Sequence, residues 1–237
     1  MREGIHIKTP DEMIIYGTLD SADNNNLIIF VHGFTGNKDE HHYINAVPYF
    51  LQNGNDTFRF NLYARADDAR SLSECSISTH VNDLHIVIDH FKGKYDNIHI
   101  VGHSLGCLPI LQADLTPVSK IVLWDPTTGF RDVGEKRGTF NPDLDAYIFK
   151  WALDFIVSKR MVEEWMSFDV KKAVEGLSVP CKFIFAGGYN KHELWRPHLN
   201  EIPVLYDSTI IDGATHCFVE EGGEQRLFEE TLKWFLH

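Results

Sequence analysis

Ser104 stands at the centre of Gly102-His103-Ser104-Leu105-Gly106, the stretch of this chain best suited to covalent chemistry. An apolar run that reads as a strand, Asn97 to Val101, leads into it, and a stretch that can be helical, Leu105 to Leu115, leads out. A serine in so sharp a strand-to-helix turn needs glycine two places to either side, because a β-carbon there would meet the neighbouring strand or helix. The strained serine backbone then holds Oγ clear of the sheet. A serine presented in this way can carry out nucleophilic acyl transfer, given a base within reach and donors for the developing oxyanion.

Three further segments are candidates for those roles. His32-Gly33-Phe34-Thr35-Gly36 directly follows the apolar strand Leu27 to Val31. Backbone N–H groups in such a turn can bind an oxyanion, and the expected donors are those of Phe34 and of Leu105, the residue after the nucleophile. Gly213-Ala214-Thr215-His216-Cys217-Phe218 follows the last strand-like run, so His216 comes after the serine in the chain order that places the base last. His32 and His103 sit inside the turns themselves and read as structural. The third role, a carboxylate that orients the imidazole, is expected after the penultimate strand. There the chain runs Phe185-Ala186-Gly187-Gly188-Tyr189-Asn190-Lys191-His192-Glu193, which puts an amide, Asn190, three residues after Gly187. Glu193 keeps the charge at a displaced position and is the preferred reading. Asn190 and Asp125, at the end of the preceding strand, are the alternatives.

These loops must hang from strand ends. Strand-like and helix-like runs alternate along the chain, which implies a mostly parallel sheet covered on both faces. Ile5 to Lys8 and Met13 to Leu19 read as an opening hairpin. Leu27 to Val31, Thr57 to Leu62, Asn97 to Val101, Ile121 to Trp124, Cys181 to Ala186 and Thr209 to Ile211 read as strands. His42 to Asn53, Ser78 to Phe91 and Glu224 to Leu236 read as helices, the second carrying Val81, Leu84, Ile88 and Phe91 at helical spacing. The alternation breaks from about 127 to 178. This segment holds Gly129, Gly134 and Gly138, then a portion from Asp143 to about Glu175 that is expected to be helical. It carries Phe130, Phe140, Tyr147, Phe149, Trp151, Phe155, Trp165 and Phe168. So long an insertion after a strand end is expected to be a lid or binding element, with part of its aromatics packing it onto the body.

The 237 residues suit one larger α/β domain, 1–237, with that insertion as a cap. A net charge of −12 with no basic run argues against a nucleic-acid partner and disfavours a polyanionic substrate. The opening Met1-Arg2-Glu3-Gly4-Ile5-His6 lacks the apolar stretch of a signal peptide, and no run is long enough to cross a membrane, so no membrane insertion is expected. Cys75, Cys107, Cys181 and Cys217 show no CxxC spacing and read as reduced thiols of a cytoplasmic protein. Cys107 and Cys217, close in sequence to Ser104 and His216, read chiefly as small core residues. No His/Asp/Glu/Cys cluster has ligand spacing outside the loops described, so no metal and no cofactor is expected.

Together the HGFTG turn, the GHSLG elbow and the GATHCF loop resemble the α/β-hydrolase superfamily, and within it bacterial cinnamoyl (feruloyl) esterases with a helical cap. The likeness runs from Ile5 to the final helix. It implies an α/β-hydrolase fold, Ser104 as nucleophile, His216 as base, and the N–H groups of Phe34 and Leu105 as the oxyanion hole. The chain departs from the family pattern at Asn190, and again after Arg59-Phe60-Asn61, where Leu62-Tyr63-Ala64-Arg65-Ala66-Asp67-Asp68 lacks the family's glycines. The expected activity is hydrolysis of a small, uncharged, apolar or aromatic carboxylic ester through an acyl-enzyme. An acyl thioesterase or acyltransferase, or a non-catalytic binding protein, are the alternatives. Oligomeric state is left open.

Overall fold

Two strands open the chain, β1 (Arg2–Lys8) and β2 (Ile14–Asp20), paired antiparallel from Arg2–Asp20 to Lys8–Ile14. The structure, a computed structural model, describes residues 1–129, 138–150 and 153–237. After the polar turn at Asp23 to Asn25 comes β3 (Asn26–Val31), whose uninterrupted apolar sequence is explained by burial on both faces. The chain continues through α1 (His41–Gln52), β4 (Asn55–Phe60), α2 (Ile77–Phe91), β5 (Asn97–His103), α3 (Cys107–Gln112) and β6 (Lys120–Trp124). Ser76 starts α2 in a capping box with Thr79.

Between β6 and the next strand of the main sheet, the expected helical portion from Asp143 is replaced in its first half by strands. A three-stranded antiparallel sheet, β7 (Gly138–Asn141), β8 (Ala146–Lys150) and β9 (Asp154–Ser158), precedes two short helices, α4 (Lys159–Met166) and α5 (Val170–Glu175). The reason is local. Asn141 Oδ1 accepts the N–H groups of Asp143 (3.0 Å) and Leu144 (3.2 Å), and Asp145 takes a positive φ of 44°, so Asn-Pro-Asp-Leu-Asp closes a hairpin and starts no helix. The aromatic and β-branched residues beyond it then pair across strands: Tyr147 with Val157, Ile148 with Ile156, Phe149 with Phe155. Phe130, Gly134 and Trp151 lie outside the described residues.

The fold closes with β10 (Cys181–Ala186), α6 (Lys191–Leu199), β11 (Tyr206–Ile211) and α7 (Gly223–Leu236). Among the described residues the main sheet runs β1-β2-β4-β3-β5-β6-β10-β11, parallel from β4 onward. Alternate residues of its strands point to opposite faces. Ile28, Phe30, Val101, Val122 and Ile184 pack with Tyr43 and Phe50 of α1 and with Leu227 and Phe228 of α7. Leu27, Ile29, Ile100, Ile121 and Phe183 pack with Leu84 and Ile88 of α2, Ile110 of α3 and Trp195 of α6. Helices therefore cover both faces. All four cysteines are free, with Cys107 fully buried and Cys217 partly so. Among the described residues, no helix is long and apolar enough to cross a membrane.

Candidate active site

At the end of β5 the chain turns through Ser104, whose φ is 55°, into one 3-10 turn (Ser104–Gly106) and then α3. A β-carbon on Gly106 would stand 2.4 Å from the carbonyl oxygens of both Val31 and His32. One on Gly102 would stand 2.5 Å from Ile110 Cδ1. Both glycines are thus dictated by contact, as the spacing predicts, and they let the elbow lie flat against the end of β3. The N–H of Cys107 donates to Ser104 O and closes the turn.

The His32–Gly36 turn sits directly against this elbow. A β-carbon on Gly33 would approach Ser104 Cβ to 3.1 Å and His103 O to 3.2 Å. His32 is fully buried and its ring is fixed at both nitrogens: Nε2 accepts the N–H of Leu62 (3.0 Å), so Nδ1 carries the proton and donates to Gly33 O (2.9 Å). Burial pushes its pKa down to about 4 and keeps it neutral. Gly33 O also accepts from Tyr63 Oη (3.3 Å) and from the N–H of Gly36 (3.2 Å). These donors hold one side of the Gly33–Phe34 peptide. Because that peptide is planar and trans, the Phe34 N–H projects to the opposite side. Tyr63 belongs to the segment that lacks the family's glycines, and its edge-on packing against His32 at 5.1 Å fills that position.

His216 reaches the serine from the loop after β11. Its Nε2 lies 2.9 Å from Ser104 Oγ, and its Nδ1 lies 2.5 Å from Asp125 Oδ2. Asp125 follows β6, is fully buried, and takes a φ of 41°. Its other oxygen, Oδ1, accepts the N–H of Ala186 at the end of β10 (3.1 Å). Burial would raise the Asp125 pKa, but the hydrogen bond from His216 and the charge of Lys191 outweigh it and hold the carboxyl below its ordinary value. With the proton of His216 on Nδ1, Nε2 is free to accept from the serine hydroxyl.

Lys191 adds a cation to this group. Its Nζ lies 2.8 Å from Asp125 Oδ2, 3.3 Å from Asp125 O and 3.0 Å from His216 Nδ1. It is placed there by the Gly187-Gly188 turn, which passes under the histidine loop: Gly188 N–H donates to Ala214 O (2.7 Å), and a β-carbon on Gly188 would collide with that oxygen at 2.8 Å. The indole of Trp195, in α6, donates to Pro126 O (2.9 Å) and ties the helix to the loop after β6.

Of the three candidates for the third role, two carboxylates and one amide, the structure brings Asp125 to His216. Glu193, the preferred reading from sequence, lies in the first turn of α6 beside Arg196 (2.8 Å) and His192 (3.2 Å), with 44% of its side chain exposed. Asn190 caps the same helix. The physical reason is that the Gly187-Gly188 turn runs straight into α6, so Lys191 takes the place beside the imidazole. Sequence reasoning missed Lys191 and Tyr63; the one available signal for Lys191 was its position next to an amide where the family carries an acid.

The inserted segment packs its apolar residues onto the His32–Gly36 turn and the elbow. The Phe34 ring packs edge-on against Phe149 at 5.1 Å and against Trp165 at 5.5 Å. Leu105 and Leu108 share a buried cluster with Phe149, Val157, Met161, Val162 and Trp165.

Comparison with known proteins agrees with this architecture. Residues 28–214 match the family described as the alpha/beta hydrolase family. Among solved structures the chain is similar to Est1E from Butyrivibrio proteoclasticus with ferulic acid bound, at 16% identity and a TM-score of 0.82, covering 98% of each chain. It is also similar to a dienelactone hydrolase from Anabaena variabilis (15% identity, TM-score 0.74, 100% of this chain and 97% of that one). A third is the esterase Pf2001 from Pyrococcus furiosus (16% identity, TM-score 0.72, 99% and 93%). No curated protein sequence matches the chain.

Proposed function

From the premise that the chain belongs to the alpha/beta hydrolase family, we propose that it is a serine-dependent carboxylic ester hydrolase working through an acyl-enzyme. The observation that carries this reading is the relay Asp125 Oδ2–His216 Nδ1 (2.5 Å) and His216 Nε2–Ser104 Oγ (2.9 Å), set at adjacent strand ends. Ser104 Oγ attacks the ester carbonyl as His216 Nε2 takes its proton. The N–H groups of Phe34 and Leu105 stabilise the tetrahedral oxyanion. His216 then gives the proton to the leaving alcohol. In the second half it deprotonates water, which attacks the acyl-enzyme and releases the acid and free Ser104. Asp125 keeps the proton of His216 on Nδ1 and stabilises the imidazolium. A buried carboxylate behind the base supports this reading over a non-catalytic binding protein.

The substrate we propose is a small, uncharged ester with an apolar or aromatic acyl part. The apolar surroundings of the oxyanion turn, where the partly exposed Phe34 ring packs on Phe149 and Trp165, support it, as does the likeness to a protein solved with ferulic acid bound. A fluorophosphonate probe tests the mechanism: wild type should label and Ser104→Ala should not. Failure of wild type to label, or equal labelling of both, overturns the reading. A panel of p-nitrophenyl esters, hydroxycinnamate esters and matched thioesters then tests the substrate. Preference for thioesters would move the assignment to thioesterase chemistry on the same residues.

A further inference from the structure

Next to the reacting groups lies a second cluster of polar side chains that the ester chemistry does not use. Glu40, ahead of α1, His42, in its first turn, and His103, at the end of β5, each bring a ligand atom within 4.8 Å of the others. We propose that these three residues form a binding site for a divalent transition-metal ion, zinc above others, that clamps the start of α1 to the elbow.

The hydrogen-bonding pattern of His103 is the first argument. Its Nε2 lies 2.8 Å from the backbone carbonyl oxygen of His216, which can only accept, so the ring proton sits on Nε2. That leaves a lone pair on Nδ1, and Nδ1 is buried without a hydrogen-bond partner. A ring whose far nitrogen donates to a backbone carbonyl is oriented and polarised as metal-ligating histidines are. The second argument is convergence. His42 is 1% exposed with neither ring nitrogen partnered, and Glu40 Oε2, 3.9 Å from His42 Nε2, is buried and unpartnered too. Leaving a buried polar atom unsatisfied destabilises a fold; here such atoms from the start of α1 and from β5 face one spot, and a cation answers them together.

The donor set fits as well. Both imidazoles are buried, and neither ring nitrogen of His42 nor Nδ1 of His103 is spent on another partner, so each ring has a nitrogen to offer. Two imidazoles and one carboxylate suit zinc, with a fourth position for water. A tetrahedral site with bonds of about 2.0–2.1 Å needs ligand atoms roughly 3.3 Å apart. The three ligand atoms lie within 4.8 Å of one another, so they would draw together by up to about 1.5 Å around the ion. The ion would touch the chemistry through His103, whose ring lies tilted at 35° to that of His216 with centroids 4.6 Å apart. No spacing motif announces it, because its ligands stand at 40, 42 and 103.

The test is zinc binding to the full chain, stripped with a chelator and titrated in competition with a chromophoric chelator. The expected result is one equivalent per chain, with the cobalt-loaded protein showing the visible bands of a four-coordinate site. Glu40→Gln and His42→Gln should each weaken binding by at least the ~10–100-fold that loss of an outer-shell partner costs. His41→Ala, which removes an exposed ring paired with Glu224, should leave it unchanged. Should His42→Gln fail to fold, Glu40→Gln decides alone. Binding below one equivalent, as from a polar pocket that holds only water, overturns the proposal. So does an affinity that Glu40→Gln leaves unmoved, or one that His41→Ala abolishes.

Discussion

The ends of β6 and β10 lie side by side in the sheet, and both face His216, yet they bring opposite charges to it. After β6 the chain places Asp125, fully buried, with its two oxygens spent on His216 and Lys191 at one and Ala186 N–H at the other. After β10 it places an amide and then a cation, Asn190 and Lys191. The difference teaches that a carboxylate beside this imidazole is a matter of place in space and not of chain order: the β6 end supplies it and the β10 end does not. It also shows a tension. In one tautomer of His216, Nδ1–H donates to Asp125 and Nε2 accepts from Ser104, which is the productive state. In the other, Lys191 donates to Nδ1 at 3.0 Å and Nε2–H donates to Ser104 Oγ, so Nε2 cannot take the serine proton. Asp125 and Lys191 compete for Nδ1 and favour different tautomers of the imidazole.

Removing the carboxylate from the β6 end should have the largest effect. Asp125→Asn keeps the shape, abolishes the negative charge and favours the unproductive tautomer; kcat on a p-nitrophenyl ester should fall by about 10⁴-fold, the loss typical of this substitution in a serine triad. A loss below tenfold would break the comparison, since the acid would then come from elsewhere. Removing the cation from the β10 end should act in the opposite sense. Lys191→Met keeps the aliphatic stem and removes a charge that repels the forming imidazolium. Two unit charges at 4 Å interact by about 4 kcal/mol at an effective dielectric constant of ~20. After relaxation, kcat/KM should rise by roughly tenfold, while the urea midpoint falls because a buried carboxylate loses a partner. Activity that drops along with stability would make Lys191 a simple prop of Asp125.

Some of this was legible in the residue order and some was not, for physical reasons. The elbow, the oxyanion turn and the histidine loop are short-range devices: glycine at Gly102, Gly106 and Gly33 is demanded by atoms within 3.2 Å, so the demand is written locally. The strands between them were legible because burial on both faces leaves them continuously apolar. Choosing among Asp125, Asn190 and Glu193 required knowing which strand end meets the imidazole, a long-range fact. The inserted segment misled for another reason. Its apolar residues recur densely enough to suit either periodicity, and the Asn141–Asp145 hairpin turn decides for strands. Glu40, His42 and His103 left no pattern, because two of them are separated from the third by the whole of β4 and α2.

The pH dependence of stability sharpens the comparison more gently. Because the folded-state pKa of Asp125 lies below the ordinary 3.8, the unfolded chain takes up the proton first as pH falls. The stability contributed by this group is therefore complete above the ordinary value and is lost as pH drops through the folded one. Asp125→Asn carries no such group. The gap between wild-type and variant urea midpoints, measured at about pH 6 and again at about pH 2.5, should narrow at the lower pH. A gap that stays constant would mean that Asp125 gains nothing from ionisation in the fold.

The smallest effect belongs to Glu193, and its smallness is informative. Its carboxylate lies on the exposed side of α6, paired with Arg196 at 2.8 Å in a geometry open to solvent. Exposed pairs of this kind contribute about 0–1 kcal/mol. Glu193→Ala should leave kcat/KM within about twofold and stability within that range, and Asn190→Ala should behave alike, since its side chain makes no capping hydrogen bond to α6. Parallel ester-hydrolysis assays of both variants beside Asp125→Asn would settle the ranking. A hundredfold loss in Glu193→Ala, with Asp125→Asn nearly unaffected, would require α6 to reorganise during turnover so that Glu193 displaced Lys191 from the imidazole.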